Sequence, residues 1–232
     1  MNKFLLLVIA LTVGYVGFRM GEGTFGEEKE LFEKSATSLH YKSFTFVVYA
    51  SNHADWCERS LSSLFAQDYG PYRVIFIDDA SIDHTYEKAQ RFVMNAAQDD
   101  RVIMLRSDTR LGFFAALSRA MEHCLEHEVI IPLQAKDWLS GEDVLSRLNK
   151  VFQRPDVWAV RSYALSYPEF QEQNKGGLVA FDSSLLKVLS ASRGALSLEE
   201  AYERPLIELC KDKMKTLKDP CLFVNSSLWT KH

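Results

Sequence analysis

Two adjacent carboxylates, Asp78 and Asp79, close the apolar run 72–77 (YRVIFI). Unpaired carboxylates are costly in a core, and neighbours along a strand point to opposite faces. One is then free to support the loop after the strand while the other faces a ligand crevice. Asp83 stands where a helix begins and suits an amino-terminal cap. Arg110 precedes Gly112, which opens another helical stretch. A guanidinium beside a helix amino end suits a pyrophosphate, and in a surface loop it is otherwise simply solvated. His123 and His127, at i and i+4, could place two nitrogens on one metal ion. They lack the H-E-x-x-H pattern and a third ligand, so a solvated or packed pair is the better reading. Cys57, Cys124, Cys210 and Cys221 form no C-x-x-C; buried free thiols are the default, with Cys210 and Cys221 the pair to consider in an exported chain. Asn225-Ser226-Ser227 is an N-x-S sequon, relevant only in a eukaryotic secretory compartment.

The elements that must position these groups can be read from periodicity. Residues 43–49, 72–77, 101–106, 129–133 and 156–160 are β-branched or apolar runs of strand length. Between them, 54–66, 84–97, 112–127 and 141–153 carry helical spacing; Phe113, Leu117, Met121 and Cys124 form one stripe. Such alternation predicts an α/β domain, a mostly parallel sheet flanked by helices. Ligands in these sheets lie beyond the carboxyl ends of the strands, which selects 49–53, 78–83, 107–112 and 134–140.

The chain has 232 residues, 47% hydrophobic and 25% charged, enough for a full core and unlike a disordered chain or a coiled coil. A net charge of −4 gives no basic field for nucleic acid, so no nucleic-acid partner is expected. No strand is followed by G-x-G-x-x-G or a P-loop, which leaves a general nucleotide-binding domain without support. Residues 4–18 are uncharged and apolar between Lys3 and Arg19. At ~1.5 Å per residue they span about 22 Å, the length of a signal-peptide core or a short membrane anchor; packing on the domain is the third reading. The organisation expected is a signal peptide or anchor over 1–20, a polar stalk over 21–42 and the globular domain over 43–232. The chain is thus expected to be membrane-associated, or exported if the segment is cleaved.

The stretch YASNHADWCERSLSSLFAQDY and, after it, VIFIDDASIDHT resemble family-2 glycosyltransferases of the GT-A fold. The family pattern is an apolar strand, a T-Y-N-like loop, L-x-S-L-x-x-Q-x-Y, then V-D-D-x-S-x-D-x-T. Residues 46–85 match it without a gap. PLQAKDWLSGEDVLSRLNKVFQRPDVW resembles the family's D-x-D-D-W-L segment with its succeeding helix and strand. The resemblance is specific over about 44–168 and looser from 177 onward, where AYERPLIELC and LFVNSSLW look like the acceptor-side helix and closing strand.

This resemblance implies a single GT-A (Rossmann-like) domain that moves a sugar from a nucleotide sugar to a hydroxyl acceptor, with inversion. It implies that Asp79 meets the nucleotide, with Ala50, Ser51 and Asn52 lining the same pocket. Asp137 falls on the diphosphate side, where the helix-end reading also sets Arg110. The family holds a divalent cation, manganese or magnesium, with carboxylates at D-x-D or D-x-D-D. Here those positions read Gln134, Ala135, Lys136 and Asp137, so one acid remains to bind metal and Lys136 occupies a carboxylate position. Three accounts stand: Lys136 replaces the cation and transfer needs no metal; catalysis is lost and the domain binds a nucleotide, glycan or protein partner; or Lys136 pairs with Asp137 or is solvated. Trp138 reads as a packing aromatic rather than a sugar platform. An inverting transfer needs a carboxylate base, and the family's acid aligns with Glu199, six residues before Pro205. Ser197 and Glu200 beside it have capping-box spacing.

Overall fold

A computed structural model describes residues 41–173, 177–185, 210 and 212–225. Its first four strands, β1 (Phe44–Ala50), β2 (Tyr72–Asp79), β3 (Val102–Ser107) and β4 (Val129–Gln134), are parallel and lie in the order β3-β2-β1-β4. Helices α1 (Cys57–Phe65), α2 (Thr85–Asn95) and α3 (Phe113–Met121) supply the crossovers. Strand order therefore reverses beside β1, and the carboxyl ends of β1 and β4 border the switch point where such sheets take ligands.

The period-two alternation in β1 divides the core. Phe44, Phe46, Val48 and Ala50 belong to a cluster with Leu61 and Leu64 of α1, Ala89 and Val93 of α2, and Leu145 and Leu148 of α4 (Val144–Phe152). Val47 instead joins Ile75, Ile130 and Leu117 of α3. Phe113, Met121 and Cys124 pack against that second cluster, so the stripe read from the sequence faces the sheet. A strand covered on both faces is apolar through its middle, and this is why 46–48, 74–77 and 129–133 read as continuous apolar runs.

Beyond β4 the sheet is mixed. β8 (Val179–Asp182) runs antiparallel to both β4 and β6 (Ala159–Tyr167), β9 (Met214–Asn225) is parallel to β6, β5 (Trp138–Leu139) is antiparallel to β9, and β7 (Glu172–Gln173) pairs β6. The strand expected over 156–160 begins later and runs further. The Val157 amide closes a turn on Arg154, and pairing with β8 and β9 then holds β6 as far as Tyr167. Among the described residues, no helix is long and apolar enough to cross a membrane; 4–18 lie outside them.

The helix expected over 112–127 stops at Met121. Glu128, 3% exposed, pairs both carboxylate oxygens with Arg73 and also accepts the Leu125 amide, which pulls 122–128 into a turn. His123 and His127 are consequently exposed and do not share a helix face. All four cysteines are free, so Cys210 and Cys221 are unbridged.

Candidate active site

The paired carboxylates separate as the pleat requires. Asp78 turns one way, where its Oδ2 accepts the Ser81 amide at 3.1 Å and lies 3.8 Å from Arg106 Nε. Asp79 turns the other way and is 0% exposed. Its Oδ1 accepts the Leu111 amide at 2.7 Å; its Oδ2 accepts the Gly112 amide at 2.8 Å and the Tyr49 hydroxyl at 2.9 Å. Burial and the Asp79 charge push the Tyr49 phenol up. Asp79 therefore welds the loop before α3 to the ends of β1 and β2. Arg110 rides on that loop, exposed to solvent.

The β1–α1 loop is latched to the β2–α2 loop. Asn52 adopts a left-handed φ of 57°, which its side-chain type tolerates. Its amide donates to Ser81 Oγ at 2.9 Å and its Oδ1 accepts the Ile82 amide at 3.0 Å. Ala50 is fully buried at the strand end, and Ser51 Oγ lies 3.5 Å from the Asp79 carbonyl. Asp83 accepts the Thr85 amide and hydroxyl at the start of α2 and also the Ala54 amide at 3.0 Å, so it caps one element and ties down another. The His53 amide donates to Thr85 Oγ1 at 2.9 Å. Burial, reinforced by the positive charges of Lys136 and Arg110, pushes the His53 imidazole down to about 4.

Beyond β4, the Asp137 amide closes a turn on Gln134 at 2.9 Å. Lys136 and Asp137 are only 6% and 5% exposed. Lys136 Nζ lies 3.7 Å from Asp137 Oδ1 and donates to the Asn225 carbonyl at 3.4 Å, while the Asn225 amide donates to Asp137 Oδ1 at 3.0 Å. The carboxyl end of β9 thus holds this acid–base pair. Desolvation, only partly offset by Lys136 and Asn225, pushes Asp137 up to about 6. Trp138 next to it is 5% exposed and packs among Trp56, Tyr167 and Phe223, with the Arg59 guanidinium 3.8 Å above its ring. That is a packing role.

A family model for glycosyl transferase family 2 matches residues 45–188, more than half of the chain. The chain belongs to glycosyl transferase family 2. No curated protein sequence matches it. Among solved structures it is similar to the mannosyltransferase PcManGT from Pyrobaculum calidifontis in complex with GDP-Man and Mn2+ (TM-score 0.61, 19% identity, 93% of this chain and 67% of that one). It is also similar to S. aureus TarS 1-349 in complex with UDP-GlcNAc (TM-score 0.64, 14% identity, 79% of this chain and 58% of that one). At these identities the likeness shows a shared fold, GT-A. The chain spans less than two thirds of the TarS fragment's length.

Residues 134–137, where the sequence resemblance expects the family's cation-binding acids, offer one carboxylate and do not fit a divalent cation. A hard cation needs several oxygen ligands. Asp137 is the one acid there, its Oδ1 faces the Asn225 amide, and an ammonium stands 3.7 Å away. Among the described residues no three His, Cys, Asp or Glu side chains gather into a metal-holding group.

The structure brings Ala50, Ser51, Asn52, Asp79, Arg110, Lys136 and Asp137 to one end of the parallel strands, as the strand-end rule requires. Glu199 and the capping pair Ser197 and Glu200 lie outside the described residues. Sequence reasoning missed Tyr49, His53 and Asn225. The first two sit in a segment that the strand-end rule selects; Asn225 comes from a distant strand, and its one local signal, the N-x-S sequon, points to glycosylation and not to this site.

Proposed function

We propose that the chain transfers a sugar from a nucleotide-sugar donor to a hydroxyl acceptor, with inversion and without a divalent cation. One observation carries this: Lys136, which the sequence resemblance sets at a metal-binding carboxylate of the family, is a buried lysine held by Asp137 and the Asn225 carbonyl. Support for the donor class comes from the two relatives, bound to GDP-Man and UDP-GlcNAc.

In this reading Ser51 and Asn52, at the strand end that Ala50 closes, receive the nucleoside beside the loop that Asp79 holds in place. Lys136 and Arg110 meet the diphosphate, and Asp137 orients Lys136. The acceptor hydroxyl attacks the anomeric carbon, the bond from that carbon to the phosphate oxygen breaks, and its electron pair stays on the diphosphate. Glu199 takes the hydroxyl proton. A fixed ammonium in a water-poor site stabilises the leaving diphosphate by the same electrostatic principle as a metal ion. Residues 4–18 would keep the domain at a membrane.

A second reading has the domain bind its ligand without turnover; the engagement of Lys136 by Asp137 favours it, because that pairing weakens the lysine as a free cation. Calorimetric titration of the full chain with UDP and GDP, with EDTA and then with Mn2+, tests the first. Micromolar binding in EDTA that is lost in Lys136→Met supports it; binding only with Mn2+ overturns the metal-free mechanism. Binding without hydrolysis or transfer of any nucleotide sugar selects the second reading.

A further inference from the structure

We propose that His53 is a further diphosphate-binding residue, using Nε2–H as an uncharged donor to the leaving phosphate between Lys136 and Arg110. This deepens the transferase reading above and rests on it. The ring's two nitrogens have different surroundings. Nδ1 faces the Ser51 amide at 3.5 Å, the acceptor role in a neutral imidazole, which puts the proton on Nε2. Among the described residues no protein group hydrogen-bonds Nε2. The main chain of His53 is meanwhile pinned through its amide to Thr85 Oγ1, so the ring is carried on a fixed backbone at the switch point.

The charges that act on the ring favour an anion as its partner. Three strand ends supply them: Lys136 after β4, Arg110 after β3, and Asp83 after β2. Asp83 already accepts from Ala54 and from both donors of Thr85. Arg110 makes no hydrogen bond to the described residues. An imidazole held neutral by burial and two cations is a poor base for an acceptor hydroxyl. It is a good donor to an anion that those two cations attract. It keeps its proton throughout: the electron pair of the breaking carbon–oxygen bond is received by the phosphate oxygen, and the hydroxyl proton goes to the general base.

The test titrates the full chain in EDTA with UDP, GDP, CDP, ADP and dTDP and with the matching monophosphates, for wild type, His53→Phe and His53→Gln. Hydrogen bonds to charged groups predict that His53→Phe weakens the diphosphate that wild type binds best by roughly 10- to 100-fold, and leaves its monophosphate within about threefold. His53→Gln, which keeps an N–H near the Nε2 position, restores most of the loss. Equal losses for diphosphate and monophosphate, or none, overturn the assignment while the transferase reading stands. If wild type binds none of the five diphosphates, both fall. Should His53→Phe not fold, nitrogen NMR of wild type decides: the diphosphate must shift the His53 Nε2 resonance, and an unmoved resonance overturns the proposal.

Discussion

The Gly112 amide donates to Asp79 Oδ2 at 2.8 Å, across 33 residues of chain, and so fixes where α3 begins. Gly112 has φ 81°, a conformation that favours glycine, which lets its N–H turn back toward β2. The candidate site is therefore built on a buried carboxylate that holds the loop before α3.

Asp79→Asn has one acceptor oxygen where three donors converge, and its amide faces at least one of them. A loss of about 2–4 kcal/mol in urea unfolding is expected, with weakened UDP or GDP binding in protein that remains folded. A loss below about 0.5 kcal/mol would contradict the tether.

His53 and Asp137 give pH dependences of opposite sign. The folded-state His53 is held at about 4, below its ordinary 6.5, so its contribution is complete above 6.5 and is lost as pH falls toward about 4. Asp137 is held at about 6, above its ordinary 3.8, so its contribution is complete below about 4 and is lost as pH rises through about 6. The two slopes offset each other between about pH 4 and 6. Asp137→Asn keeps an acceptor for the Asn225 amide and removes one slope. Relative to wild type, it loses on the order of 2 kcal/mol on acidification across that range, as read by urea unfolding at each pH.

Gln134→Asp combined with Lys136→Asp puts acids at the two positions where the sequence resemblance expects them ahead of Asp137 and removes the neighbouring ammonium. The double variant is expected to bind Mn2+ where wild type does not, by electron paramagnetic resonance and calorimetry. It is also expected to make nucleoside diphosphate binding sensitive to EDTA. Equal Mn2+ binding by both proteins would show that Lys136 does not displace the ion.

Glu128→Gln leaves Arg73 partly buried without its counter-charge, at the amino ends of the strands. Breaking such a pair is expected to lower stability by about 3–5 kcal/mol in urea unfolding. Nucleoside diphosphate affinity in the folded protein is expected to be unchanged, because Glu128 precedes β4 while the site lies past its other end.

Much of the parallel half was legible. Runs such as FTFVVYA and YRVIFIDD are bounded by polar loops, and the Phe113 stripe faces the sheet as its spacing requires. The second half was less so. β6 reads AVRSYALSY, with Ser162 and Ser166 buried among apolar residues, and owes its length to partners on both sides rather than to its own pattern. The helix end at Met121 was missed because the competing contact, Arg73 with Glu128, joins residues 55 apart.

The sequence by itself determined the strand–helix alternation, the strand ends that gather at the switch point and the presence of Gln134, Ala135 and Lys136 ahead of Asp137. These are properties of consecutive residues, and periodicity or a local motif carries them. Tertiary structure alone decided what the side chains hold. Asp79 is committed to amides 32 and 33 residues away, and Asp137 and Lys136 to Asn225, 88 and 89 residues away. A hydrogen-bond partner is fixed by where distant strands arrive, and β9 reaches Asp137 only once β6 has placed it beside the site.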